Sequence, residues 1–169
     1  MPNPANLYTP PQFPQTTVNY FPNVGLNGQL ADTGHHDITT AVAESPGFDV
    51  GLAIVLGAGG YGYGRLPAAS GDIASVIGFS LYEAMREPSI PRFLPFVAVD
   101  ILRKGRIWIT AQGITVDNGP VFIIYSGANA GQLRGDAGSG GNAALQLTRA
   151  TVRQGSAAGG MSLVEVNLP

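Results

Sequence analysis

Three groups of residues in this chain could do chemistry, and each demands a particular neighbour. Gly57-Ala58-Gly59-Gly60-Tyr61-Gly62 matches G-x-G-x-x-G and follows an apolar stretch. A dinucleotide site of that type needs a helix to start at the loop, so that its first N–H groups meet the pyrophosphate. Here Tyr63-Gly64-Arg65-Leu66-Pro67 follows, and a further Gly and a Pro do not open a helix. The stretch therefore reads as a glycine-rich loop with two surface tyrosines. His35 and His36 are adjacent, with Asp32 and Asp37 nearby. Neighbours on an extended chain point opposite ways, so the two imidazoles do not share one ion easily, and a polar turn is expected. Glu83, Glu87 and Asp100 are the carboxylates available for glycoside hydrolysis, which needs a pair about 5 to 9 Å apart. Arg86, Arg92, Arg103 and Arg106 lie beside them, so ion pairing is the simpler expectation. No G-x-S-x-G occurs, and Gly138-Ser139-Gly140 sits in a loop. The chain has no Cys, which removes thiolate chemistry and Cys-based metal sites. The expectation is no catalytic residue, no metal and no cofactor.

The elements that surround these residues are strands. Phe96–Tyr125 is the densest stretch and reads as three strands in a row. Phe96–Leu102 alternates, Arg103-Lys104-Gly105 reads as a turn, and Arg106–Thr110 alternates again around Trp108. Asp117-Asn118-Gly119 is a strong turn signal before the apolar Pro120–Tyr125. Apolar residues occupy both faces of these strands, so both faces are expected to be covered, by a second sheet or by neighbouring subunits. Trp108, inside a dense strand, is expected in the core.

Around that centre, Ile38–Val42 and Phe48–Leu56 read as strands, with a turn at Ser45-Pro46-Gly47. Asp72–Glu87 mixes helical and alternating patterns; Gly78 and its β-branched neighbours favour a strand over Val76–Glu83. Pro88, Pro91 and Pro95 form a rigid connector. After Tyr125 the chain is polar and rich in glycine, with a short Gln132–Arg134 strand. Ala143–Leu147, Thr148–Gln154 and Ser162–Leu168 then alternate. Short strands spaced by Gly and Pro turns predict an all-β fold. It is expected to be a compact β-barrel or β-sandwich of about 8–10 short strands.

The 169 residues suit one domain with a real core. They are 44% hydrophobic but only 12% charged, against a usual charged share of about 25%. Such a surface is expected to be covered in part by other subunits. The net charge of −2 comes without a basic block, which argues against nucleic acid. No signal-peptide pattern occurs, nor an apolar run near the ~20 residues that span a bilayer. Synthesis and use without export or membrane insertion are expected.

Met1–Ala31 carries no charge and six of the thirteen prolines, together with Tyr8, Phe13, Tyr20 and Phe21. Proline fixes φ and removes donors, so Met1–Val24 is predicted to be an extended arm ahead of a single β domain over Gly25–Pro169. An uncharged, aromatic arm suits a strap on another subunit better than a solvated tail. Eight Arg against one Lys also suits an interface, since guanidinium groups pair with carboxylates and stack on rings. The interface candidates are Tyr8, Phe13, Tyr20, Phe21, Arg86 and Arg92.

Gly28-Gln29-Leu30-Ala31-Asp32-Thr33-Gly34, Gly105-Arg106-Ile107-Trp108-Ile109 and Val164-Glu165-Val166-Asn167-Leu168 together resemble a known family. It is the structural cement, or capsid decoration, proteins of tailed bacteriophages. The resemblance covers roughly Gly25 to Leu168; the Gly57–Gly64 run and the proline arm stand outside its pattern. It implies an all-β domain on the outer surface of the virion capsid, without enzyme activity. The implied partners are the major capsid protein, whose neighbouring subunits it bridges, and further copies of itself in a homo-oligomer, most often a trimer. Two other readings fit the same composition. One is another phage particle component, such as a head-fibre base, neck or tail protein. The other is a carbohydrate-binding β-sandwich that uses Tyr61, Tyr63 and Trp108 as sugar platforms.

Overall fold

Alternating burial along Asp37–Ala43, Ala98–Thr110 and Met161–Asn167 marks the strands from which the fold is assembled. The structure is a computed structural model, and it describes residues 25–31, 34–60, 62–82 and 92–169. Eleven strands follow in order: β1 Asp37–Ala43, β2 Phe48–Asp49, β3 Ala53–Leu56, β4 Tyr63–Arg65, β5 Val76–Ser80, β6 Arg92–Phe93, β7 Ala98–Thr110, β8 Pro120–Ile124, β9 Leu133–Arg134, β10 Ala144–Gln154 and β11 Met161–Asn167. Two 3-10 turns, Ser70–Ser75 and Gly140–Asn142, are the helical segments among the described residues.

The strand order β1-β4-β3-β5-β7 closes on itself through an antiparallel β1–β7 pairing, giving a five-strand barrel. Closure removes the edges that an open sheet would expose. Ala41, Ala43, Ile54, Val99 and Ile101 fill its interior, and the β2–β6 ribbon adds Phe48 and Phe93, whose ring centroids lie 5.9 Å apart. The order then continues from β7 through β11, β10, β8 and β9. A parallel bridge between Ala111 and Leu133 ties β9 back to the end of β7, so this half also comes round on itself. Its core gathers Ile107, Ile109, Ile123, Leu133, Val152 and Val164 against Phe79 and Leu102 of the barrel strands.

β7 belongs to both halves. Its first half pairs with β1 and β5, and its second half pairs with β11. Opposite β11 runs the lead-in segment: Ala31 N–H donates to Arg106 O, Trp108 N–H to Gln29 O, and Gly28 N–H to Trp108 O. Arg103-Lys104-Gly105 is therefore not the predicted turn. Gly105, at φ 131°, keeps the strand running, and the side-chain parity changes at Arg103, the extra residue between Leu102 and Lys104 where the register shifts at Asp37 and Ile38. Ile101 points into the barrel interior, whereas Leu102, Ile107 and Ile109 face the second core.

Other expectations change in the same way. β8 pairs with β10 and β9, not with β7, so Phe96–Tyr125 is not a meander. Phe48–Leu56 is split into β2 and β3 by a bend at Gly51, φ 73°. Ala144–Gln154 forms one strand, β10, in place of two. Over Val76–Ser80 the strand reading holds, as β5; Leu81 and Tyr82 lie past its end, and Glu83 lies outside the described residues. The turns at residues 45–47 and 117–119 form where expected. Coverage on both faces is partial: Leu102 and Ile124 are buried opposite Ile101 and Ile123, but Ala98 is exposed and Phe96 is 75% exposed.

Candidate interaction surfaces

Of the residues singled out for chemistry, the glycine-rich loop and Asp100 take structural roles, while Asp32, Glu83 and Glu87 lie outside the described residues. The Gly57–Gly62 loop joins β3 to β4, and the N–H of Gly59 donates to a carboxylate oxygen of Glu44 at 3.0 Å. The loop thus holds an anion belonging to its own chain. A Cβ at Gly57 would stand 2.3 Å from that carboxylate, and one at Gly59 would stand 2.7 Å from the Tyr63 ring. Those approaches explain the glycine spacing without a phosphate. Asp100 accepts a hydrogen bond from Thr40 Oγ1 at 2.9 Å. Thr115, Ser156 and Ser162 form a hydroxyl cluster, with Thr115 Oγ1 and Ser162 Oγ 2.7 Å apart. It contains no base and so lacks the partner that nucleophilic catalysis requires. Among the described residues no three His, Asp or Glu side chains gather as a metal site.

Of the interface candidates, Tyr8, Phe13, Tyr20, Phe21 and Arg86 lie outside the described residues, as do Glu87 and Tyr61. Arg92 begins β6; it donates to Pro46 O at 3.2 Å and stands 3.9 Å from Asp49. Tyr63 and Trp108, the remaining candidate sugar platforms, lie on strands that do not pair. Trp108 is not in the core: it is half-buried on the outer face of β7, with Gly25 packed so closely that a Cβ there would stand 2.1 Å from the ring.

Sequence reading missed two features. The first is the tip Leu94-Pro95-Phe96, where Leu94 is 58% and Phe96 75% exposed. Val97 N–H closes the turn on Leu94 O at 3.4 Å, and Phe96 has φ 65°. Proline first and a positive φ second is the pattern of a type II turn, whose second position normally takes Gly or Asn.

The second is the outer face of β7, β11 and β10. Cross-strand register sets Lys104 beside Asn167, Arg106 beside Glu165 and Thr151 beside Glu165. Arg149, one step before the Ala150–Val166 pair, stands level with Asn167. Opposed residues share a face, so among the described residues this face carries Lys104, Arg106, Arg149 and Arg153 with two carboxylates, Glu165 between the arginines and Asp37 beside Lys104. Glu165 Oε2 accepts from Arg106 Nε at 2.9 Å and from Arg153 Nε at 3.1 Å, and Oε1 accepts from Arg153 Nη2 at 3.1 Å. The hydrogen bonds from Arg153, then Arg106, hold the Glu165 carboxyl below the usual glutamate range. Asp37 of β1 is in direct register with Lys104 and lies 3.8 Å from Arg103. An open groove of about 530 Å³ runs along Lys104, Arg149, Thr151, Glu165 and Asn167.

A closed β-barrel that carries a charged flat face and an exposed apolar tip has the architecture of a binding scaffold. The chain matches the family described as structural cement protein (E217 gp24/Pam3 gp6) over residues 13–167, and it belongs to that family. It is thus a capsid-associated structural protein of a bacteriophage virion. Its fold is similar to that of a chain in the structure titled "The capsid of Myoviridae Phage XM1". That comparison has a TM-score of 0.69 and 19% sequence identity, covering 83% of this chain and 88% of that one. No curated protein matches the chain.

Proposed function

We propose that this protein cements a phage capsid from its outer surface by bridging neighbouring major capsid protein subunits. Family membership over residues 13–167 carries the reading. The low charge content and the uncharged Met1–Val24 arm support it, because a bridging protein must cover surface on more than one neighbour. The protein works as a homo-oligomer, a trimer on this reading, without catalysis, and it is made in the host cytoplasm. The arm acts as a strap through Tyr8, Phe13, Tyr20 and Phe21, ahead of one β domain, with Arg86 and Arg92 as further contacts. Many copies engaging one shell multiply modest single-site affinities.

The test uses capsids that lack the protein. Purified protein added back should bind at saturable, symmetry-related sites and raise the temperature at which the particle releases its genome. Capsids that take up none, or that gain no stability from full occupancy, would overturn the reading.

A further inference from the structure

Lys104 and Arg149 stand apart once each described cation is matched with its anion. Arg65, Arg92, Arg103, Arg106, Arg134 and Arg153 each pair with a carboxylate. Lys104 and Arg149 make no ion pair and no side-chain hydrogen bond among the described residues, and both line the same groove. They flank Asn167 on three adjacent strands, so their backbones stand roughly 10 Å apart across it.

We propose that the outer face of β7, β11 and β10 docks a carboxylate-bearing patch of a capsid protein subunit, with Lys104 and Arg149 as the recognising cations. The proposal rests on the cementing role above and adds where the capsid is held and by what chemistry. Charge complementarity carries it. Among the described residues four cations stand here against two carboxylates, Glu165 and Asp37, the latter also beside Arg103, in a chain whose net charge is −2, so the local sign is opposite to the global one. Arg106 and Arg153 share the Glu165 carboxylate, so that row is largely engaged within the chain. The neighbouring row leaves two cations with Asn167 between them, whose amide adds donors for carboxylate oxygens. A polyphosphate backbone fits less well. It would lie against Glu165, and the one large ring on this face, Trp108, is packed under Gly25 and not offered for base stacking.

The experiment compares wild type, Lys104→Glu/Arg149→Glu and Lys104→Gln/Arg149→Gln on capsids lacking the protein, by co-sedimentation. Circular dichroism first shows that each variant is folded. The charge reversal should weaken binding by at least about tenfold, and the neutral pair by less. Wild-type affinity should fall as salt rises from about 0.05 M to about 0.5 M, and the neutral pair should lose most of that dependence. Should the reversal not fold, the neutral pair and the salt series decide alone. Equal affinity and an equal salt response for the folded variants would refute the docking face while leaving cementing intact. If wild type itself fails to bind, the cementing role falls, and this inference with it. Duplex DNA that displaces wild type from capsids, and binds the reversal variant poorly, would reassign the face to nucleic acid.

Discussion

Phe96 shows at the scale of one residue how local conformation and exposure can conflict. A left-handed φ costs a non-glycine residue about 1–2 kcal/mol, and glycine costs about 0.5–1 kcal/mol in unfolded-state entropy. With most of the ring in solvent, little packing offsets the difference. Phe96→Gly should therefore stabilise the isolated protein by about 0.5–1 kcal/mol, read from the midpoint of urea unfolding. A loss of stability would mean that the ring packs in a way its exposure does not suggest. Asp72 is the opposite case. It receives both terminal nitrogens of Arg65 at 3.0 Å and the N–H groups of Ala68 and Ala69. The Arg65 hydrogen bond first, then that of Ala68, lower its pKa to about 2. A depressed folded pKa stabilises fully above the unfolded value near 4, and the contribution fades as pH falls through about 2. Asp72→Asn should cost about 1–2 kcal/mol at neutral pH, discounted for partial exposure of the pair, and the gap to wild type should close between pH ~4 and ~2.

Among the elements, Gly105 follows directly on the bulge that lets β7 serve two cores. A Cβ there would stand 2.5 Å from His36 Cδ2, in a backbone conformation that side chains rarely adopt. Gly105→Val should destabilise by about 1–3 kcal/mol and reduce capsid attachment in the same proportion. Attachment lost at unchanged stability would contradict that. The same residue shows where sequence reading stops. Arg103-Lys104-Gly105 has the composition of a turn, and a positive φ was legible in it; that the chain would run on, with a bulge at Arg103 flipping side-chain parity, was not. That outcome depends on β1 and β11, which pair along β7 from opposite ends of the sequence. Where alternation and a turn signal agree locally, as around residues 45–47 and 117–119 or along β11, the sequence was enough. The cationic face was half-legible. Lys104 and Arg106 alternate, as do Arg149, Thr151 and Arg153, but only register across β11 makes them neighbours.

For the molecule as a whole, removal of Met1–Asn23 separates the strap from the docking face. The truncated protein should keep its unfolding midpoint and lose capsid affinity; unchanged attachment and particle stability would remove the strap from the account. The length of β7 has a mechanical side. Both halves of the described structure hang on that strand, and both grip it laterally, so neither half has a hinge of its own about which to swing. A pull applied through Ile38 and Leu163, on the strands that flank β7 in the two halves, loads that shared strand along its length. Its ladders must then slide together instead of unzipping singly. In an optical trap the wild-type domain should give way in one rip, and two separate rips would show that β7 does not couple the halves. A domain coupled in this way holds at full strength until it fails, with no slack stage in between.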